Sequence, residues 1–293
     1  EIKLRNNSSL HKLFYGLKKY EEEIKMIKLI ALDTDGTLLN SENKILPSTK
    51  AAIKKALDQG IKVVLCSGRP IAGLAHFMKE LGIEGDNQYA VTLNGAITRN
   101  ADGKIMTQDL VNNELYRELT KFAKEQKVPF NIVDPDSRII TADHDVDYFE
   151  LLQAWENTAP LFIRTPDEMP NDFQISKGCF VGDKALLDQF EPILRAKFGQ
   201  DLYIVRADDH FLECLHPNVN KGSGLKELGK KIGVSTDEMM AFGDERNDIS
   251  MFDIVGTAVA MGNGSQEAKD HADFVTASND DDGIAKALDK FVF

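Results

Sequence analysis

The stretch Leu29-Ile-Ala-Leu-Asp33-Thr-Asp35-Gly36-Thr37-Leu38-Leu39 organises the rest of the chain. Four apolar residues in succession describe a strand buried on both faces, as in a parallel sheet. The run then breaks into two carboxylates one residue apart, followed by glycine. Open α/β sheets bind ligands outside the carboxyl ends of their strands, so this break delivers negative charge to such a place. Two neighbouring aspartates repel and are costly to desolvate, which calls for something cationic between them. Asp, Gly and Thr also favour turns, so on this stretch alone Asp33 and Asp35 could be turn and cap residues.

The same texture recurs. A helical pattern opening at Pro47-Ser-Thr49 and stopped by Gly60, then an apolar run over 61–65, complete a β-α-β unit, which implies parallel pairing. The run ends in Cys66-Ser67-Gly68-Arg69, a hydroxyl and bare backbone N–H groups able to accept a phosphate. A helix over 72–81 and a strand over 89–93 follow, ending in Asn94-Gly95. Residues 97–205 change character. Longer amphipathic helices (110–127 and 184–198) mix with short strands (130–133, 138–141, 173–176, 178–181 and 202–205). This section reads as a second domain inserted into the first, which then comprises 26–96 and 206–293. Trp155, with Leu151, Leu152 and Leu161, reads as part of its core. His144 and His216 stand alone, without a second ligand at metal spacing.

The first texture returns at Asn220-Lys221-Gly222. A lysine at a helix N-terminus opposes the helix dipole and makes more sense if an anion also sits there. A strand over 237–242 then runs into Gly243-Asp244-Glu245-Arg246-Asn247-Asp248. Asp248 lies four residues after Asp244, so both can face one cavity, although acidic residues are also common as helix caps. In a parallel sheet all these strand ends share one edge. Several carboxylates and one lysine there fit Mg2+ together with a tetrahedral anion.

Composition sets bounds. The chain has 293 residues, 42% hydrophobic and 28% charged, which suits one large or two ordinary globular domains. A net charge of −12 argues against nucleic acid or an anionic membrane as partner. No run approaches the roughly 18–20 apolar residues needed to span a bilayer. Cys66, Cys179 and Cys214 are odd in number and lack Cys-x-x-Cys spacing, which points to a reducing, cytoplasmic location. Residues 1–25 lack the apolar region of a signal peptide. They read as sequence foreign to the natural chain or as a partly helical extension, with Met26 a natural start.

Four ordered motifs, Asp33-Thr-Asp35-Gly36-Thr37-Leu38, Ser67-Gly68-Arg69, Lys221-Gly222 and Gly243-Asp244 through Asn247-Asp248, resemble those of the haloacid dehalogenase (HAD) superfamily, in particular its phosphatases. The insertion after Asn94-Gly95-Ala96 resembles the Cof-type subgroup with a C2B cap, close to YidA-type sugar phosphatases. The resemblance covers residues 26–293. It implies a Rossmann-like parallel-sheet core with an inserted α/β cap that sets substrate specificity. By the same resemblance Asp33 is the phosphorylated nucleophile, Asp35 the general acid/base and, through its carbonyl, a Mg2+ ligand, and Asp244 the third metal ligand. Asp248 is an anchor behind the metal, and Ser67, Gly68, Lys221 and Asn247 are phosphate contacts. Arg69 and Asn94 could face the substrate.

The expected function is Mg2+-dependent hydrolysis of a small phosphorylated metabolite, a sugar phosphate, through an aspartyl-phosphate, by a monomer or weak homodimer. A phosphomutase is the alternative enzyme, and a non-catalytic phosphometabolite-binding protein the alternative of another class. The chain crossings at 96–98 and 205–209 are expected hinges of cap motion.

Overall fold

A computed structural model describes residues 26–293; the expectations for 1–25 lie outside them. In chain order the strands are β1 (Leu29–Leu32), β2 (Lys62–Cys66), β3 (Tyr89–Thr92), β4 (Ile97–Asn100), β5 (Ile105–Gln108), β6 (Phe130–Val133) and β7 (Ile139–Thr141). They continue with β8 (Leu161–Ile163), β9 (Lys177–Val181), β10 (Tyr203–Arg206), β11 (Phe211–Leu215), β12 (Met239–Gly243), β13 (Thr257–Ala260) and β14 (Phe274–Val275). They form two sheets, one of eight strands ordered β14-β13-β12-β1-β2-β3-β4-β5 and one of six ordered β10-β11-β9-β6-β7-β8.

In the first sheet β1 lies between β12 and β2, parallel to both. Leu32 pairs with Phe242 on one side and with Leu65 on the other, so Asp33, Gly243 and Cys66 end at one level. The alternation of β1 explains its continuous apolar run. Ile30 and Leu32 pack on one face with helices Pro47–Asp58, Ile71–Leu81 and Gly283–Phe291. Leu29 and Ala31 pack on the other with Leu225 and Leu228 of helix Lys221–Ile232. A strand covered on both sides has no polar face to offer.

The second sheet is antiparallel except for the β7–β8 pair. Helices Asn113–Gln126 and Lys184–Phe198 cover one of its faces, with Phe122, Phe190 and Phe198 clustered around Phe180 of β9. Its other face looks towards the end of the first sheet where Asp33 stands.

Sheet membership moves the expected boundaries. β4 and β5 extend the first sheet beyond β3 as an antiparallel pair, whereas β10 and β11 belong to the second sheet. The chain therefore leaves the first sheet after Gln108 and re-enters it after Leu215, not at 97 and 205. The supposed hinge residues 96–98 and 205–209 are accordingly tied into ladders or their connecting turn. The strand expected over 173–176 is reduced to a single bridge between Ile175 and Val111. Among the described residues no helix is long and apolar enough to cross a membrane.

The N-terminus of helix Lys221–Ile232 packs closely on the short helix Ile249–Phe252 because Gly222 has no side chain. A Cβ there would lie 1.8 Å from the Ser250 carbonyl oxygen. Backbone cannot yield as a flexible side chain would, so Gly222→Ala should destabilise the protein by ~2 kcal/mol or more, read as a lower urea midpoint at unchanged slope.

Candidate active site

The carboxyl edge of the first sheet gathers residues from adjacent strand ends. Asp33 follows β1, Ser67 follows β2, Asn94 follows β3 and Asp244 follows β12. The turn Thr34–Leu38 after β1 is a single loose turn, with Gly36 in the left-handed region at φ 75°. A Cβ at Gly36 would lie 2.3 Å from an Asp244 carboxylate oxygen. Glycine is thus required twice over here, by its backbone conformation and by the approach of Asp244. Thr37 Oγ1 donates to Asp244 Oδ1 at 2.8 Å and fixes that carboxylate's orientation.

Lys221 is the centre of charge. It is 1% exposed. Its Nζ donates to Asp33 Oδ1 at 2.6 Å and to Asp248 Oδ1 at 2.7 Å. Asp248 Oδ2 in turn accepts the backbone N–H groups of Asp244 and Glu245, at 2.9 and 3.0 Å. Asp248 is therefore fully engaged in holding Lys221 and the Asp244 loop. The helix dipole that opposed a lysine at this position is outweighed by two carboxylates.

Asp33, Asp244 and Asp248 each offer a carboxylate oxygen within 4.8 Å of the others, all buried. Burial, then the Asp248 charge, holds the Asp33 carboxyl well above the usual carboxylate range, with Lys221 pulling the other way. Burial, then Asp248, pushes Asp244 up to about 6. For Lys221 burial works to lower the pKa, but the Asp248 and Asp33 charges outweigh it and the net shift is upward. One ammonium does not balance three carboxylates, so the cluster has the donor set and the charge deficit of a hard-cation site.

Asp35 departs from the sequence reading. A general acid/base is favoured by burial, yet the Asp35 side chain is 54% exposed. Its two oxygens accept from Arg69 Nε and Nη2 at 2.8 and 2.7 Å, a two-pronged pair. Arg69 also donates through Nη1 to the Glu156 carbonyl at 3.0 Å, at the end of helix Tyr148–Glu156 in the inserted section.

A cavity of about 900 Å³ opens between the two sheets. Asp33, Asp35, Ser67, Gly68, Arg69, Asn94 and Asn247 all line it. Asn247 Nδ2 lies 3.4 Å from Asn94 Oδ1. Lys221, Asp244 and Asp248 stand behind this lining. His144 and His216 do not reach it. Trp155, read as core from its leucine neighbours, is 79% exposed at the cavity wall. In its helix Glu150, Gln153 and Ala154 are the buried residues instead. Lys177, Glu213 and Gln153 also line the cavity and were not singled out in the sequence. Only their polarity within otherwise apolar strands or a helix face could have signalled them.

The haloacid dehalogenase-like hydrolase family model matches residues 30–288, and the chain belongs to that family. YxeH of Bacillus subtilis is 32% identical over 270 residues, covering 91% of this chain and 99% of the relative. A haloacid dehalogenase-like hydrolase from Bacteroides thetaiotaomicron superposes with a TM-score of 0.82 at 29% identity, covering 90% of this chain and 99% of that one. The HAD subclass IIB sugar phosphatase BT4131 superposes with a TM-score of 0.73 at 25% identity, covering 90% and 98%. The chain is accordingly a hydrolase of the phosphatase class.

Two stability predictions follow from these charges. Lys221→Ala leaves two buried carboxylates without their cation and should cost ~3–5 kcal/mol, measured by denaturant unfolding. Glu150 is buried in the helix that carries Gln153, Trp155 and Glu156 to the cavity. Burial pushes its carboxyl up to about 7, against the Asp147 N–H that lowers it. The folded chain therefore holds a proton that the unfolded chain releases, and stability falls as pH rises from about 4.5 to about 7. Glu150→Gln should remove that slope and gain on the order of 2 kcal/mol at pH 8, seen by comparing melting temperatures across pH 5–8.

Proposed function

We propose that this protein is a Mg2+-dependent phosphomonoesterase acting on small phosphorylated metabolites, sugar phosphates among them, through an aspartyl-phosphate at Asp33. The buried Lys221 bridge between Asp33 and Asp248 carries this reading. A carboxylate that only capped a turn would need no buried ammonium held against it. A nucleophile attacking an anionic phosphoryl group needs its own charge offset and its position fixed.

Asp33 Oδ attacks phosphorus in line with the leaving oxygen, and the P–O bond to the alcohol breaks. Asp35 gives its proton to that oxygen. Asp35 then takes a proton from water, which attacks the aspartyl-phosphate and releases phosphate, restoring the Asp33 carboxylate and the protonated Asp35 carboxyl. Lys221 and the Ser67 hydroxyl hold phosphoryl oxygens, with the Gly68 backbone and the Asn247 amide beside them. For Asp35 to reach the leaving oxygen its carboxyl must leave the Arg69 fork, and the freed guanidinium then turns to the phosphoryl group.

Asp33 and Asp244 would hold the metal together with the Asp35 carbonyl, and Asp248 would steady the group from behind. The raised carboxyls of Asp33 and Asp244 support this, since a cation there relieves the repulsion that raises them. When bound, Mg2+ supplies charge neutralisation to the phosphoryl oxygens. Likeness to a named sugar phosphatase supports the substrate class.

Purified protein should hydrolyse p-nitrophenyl phosphate with Mg2+, lose that activity in EDTA, and lose it by about 10³-fold or more in Asp33→Asn. Full activity in Asp33→Asn would sink the assignment. Binding of Mg2+, read as thermal stabilisation, should weaken as pH falls through about 6, where Asp244 takes up its proton.

A further inference from the structure

The second sheet brings two charged residues to the cavity that the mechanism above does not use. Lys177 opens β9 and Glu213 stands in the middle of β11, both almost wholly buried. They lie on the sheet face opposite the aromatic core, since their neighbours Phe180, Leu212 and Cys214 pack under the helices. The Lys177 ammonium bonds the Glu213 carboxylate and donates to the Gly68 carbonyl at 3.2 Å. Glu213 Oε2 accepts from Asn94 Nδ2 at 3.0 Å. Both ions have been taken out of water, and apolar residues filling the same volume would avoid that desolvation.

The pair retains unused capacity. An ammonium has three donors and Lys177 uses two; a carboxylate accepts about four bonds and Glu213 accepts two. Gln153 and Asn157 also line the cavity, and each keeps a buried side-chain oxygen with no partner among the described residues. Buried acceptors of that kind are satisfied when a ligand brings O–H or N–H donors.

The charge balance is equally specific. Each lysine and arginine lining the cavity already has its carboxylate: Lys44 has Glu42, Arg69 has Asp35 and Lys177 has Glu213. Glu156 and Asp208 line it without an ion pair among the described residues. Apart from the phosphoryl site at Asp33, no lysine or arginine lining the cavity among the described residues is spare for a second anionic group.

We infer that Lys177 and Glu213 are the specificity-determining pair, reading hydroxyl groups on the alcohol portion of a neutral polyol phosphomonoester and excluding a second anion there. This rests on the phosphatase reading for the position of the phosphoryl group. The two members act in opposite senses. Glu213 keeps Lys177 neutralised; without Glu213 the ammonium is free to meet a carboxylate. Without Lys177 the Glu213 charge repels one.

Sorbitol 6-phosphate and 6-phosphogluconate test this, because they differ only in a terminal CH2OH or carboxylate. Wild-type kcat/KM should favour the polyol phosphate at least tenfold. Glu213→Gln should shrink that ratio tenfold or more, and Lys177→Gln should enlarge it. A role in packing alone would depress both substrates together and leave the ratio fixed. A wild type that takes both equally, or a ratio untouched in whichever variant folds, overturns the proposal. Turnover of p-nitrophenyl phosphate in parallel judges the phosphatase reading separately. If that turnover is absent, calorimetric Kd values for the same two ligands carry the same expected ratios.

Discussion

One ammonium held between two buried carboxylates is the constraint on which the rest of this structure depends. Lys221 reaches Asp33 and Asp248 only if helix Lys221–Ile232 starts hard against the end of the central strand. The start of that helix also lies against the Ser250 backbone, which requires glycine at 222, and the approach of Asp244 to the turn after β1 requires glycine at 36. Apolar packing on both faces of β1 fixes the strand level at which these charges meet. The cost of burying the ions is thus met by geometry that the backbone sets before any ligand arrives.

The loop after β2 carries the same logic outward. Ser67, Gly68 and Arg69 belong to the first sheet's edge, yet two of their bonds cross to the inserted section. Arg69 reaches the Glu156 carbonyl, and the Gly68 carbonyl receives Lys177. The proposed phosphate loop and the proposed specificity pair are therefore one bonded network, extended through Glu213 and Asn94 to Asn247. A handful of polar contacts thus joins the proposed alcohol end of the cavity to the proposed phosphoryl end.

The cluster was legible in the sequence because parallel strands announce themselves. Unbroken apolar runs ending in Asp, Ser or Asn and glycine can only lead to one sheet edge, so Asp33, Ser67, Asn94 and Asp244 converge without any contact being known. The inserted section gave far less. Its sheet is mostly antiparallel with short strands, and residues such as Lys177 and Glu213 sit in strands whose buried positions are otherwise apolar. The β4–β5 pair was hidden because the chain turns sharply at Asn94-Gly95, which looked like a boundary while the sheet in fact continues. Trp155 misled for a related reason. Leucines at neighbouring positions suggested a core face, but Glu150 and Gln153 take the buried side of that helix. Asp35 stands in the turn after β1, and its two-pronged bond to Arg69 depends on a side-chain direction that spacing does not encode.

The insertion also dictates an order of assembly. Asp33 and Lys221 are 188 residues apart, and Thr37 and Asp244 are 207 apart. A chain made from its N-terminus presents β1, β2 and β3 long before β12 exists to cover the open side of β1. Throughout that interval a strand with two apolar faces has one edge unpaired, the condition in which strands seek partners on other chains. The inserted section, whose sheet neighbours are all internal to it, can settle first and draw the two halves of the core together. The carboxylates at the edge receive their cation only in the final third of synthesis, so the charged centre is a late event in the life of each molecule and the apolar sheet an early one.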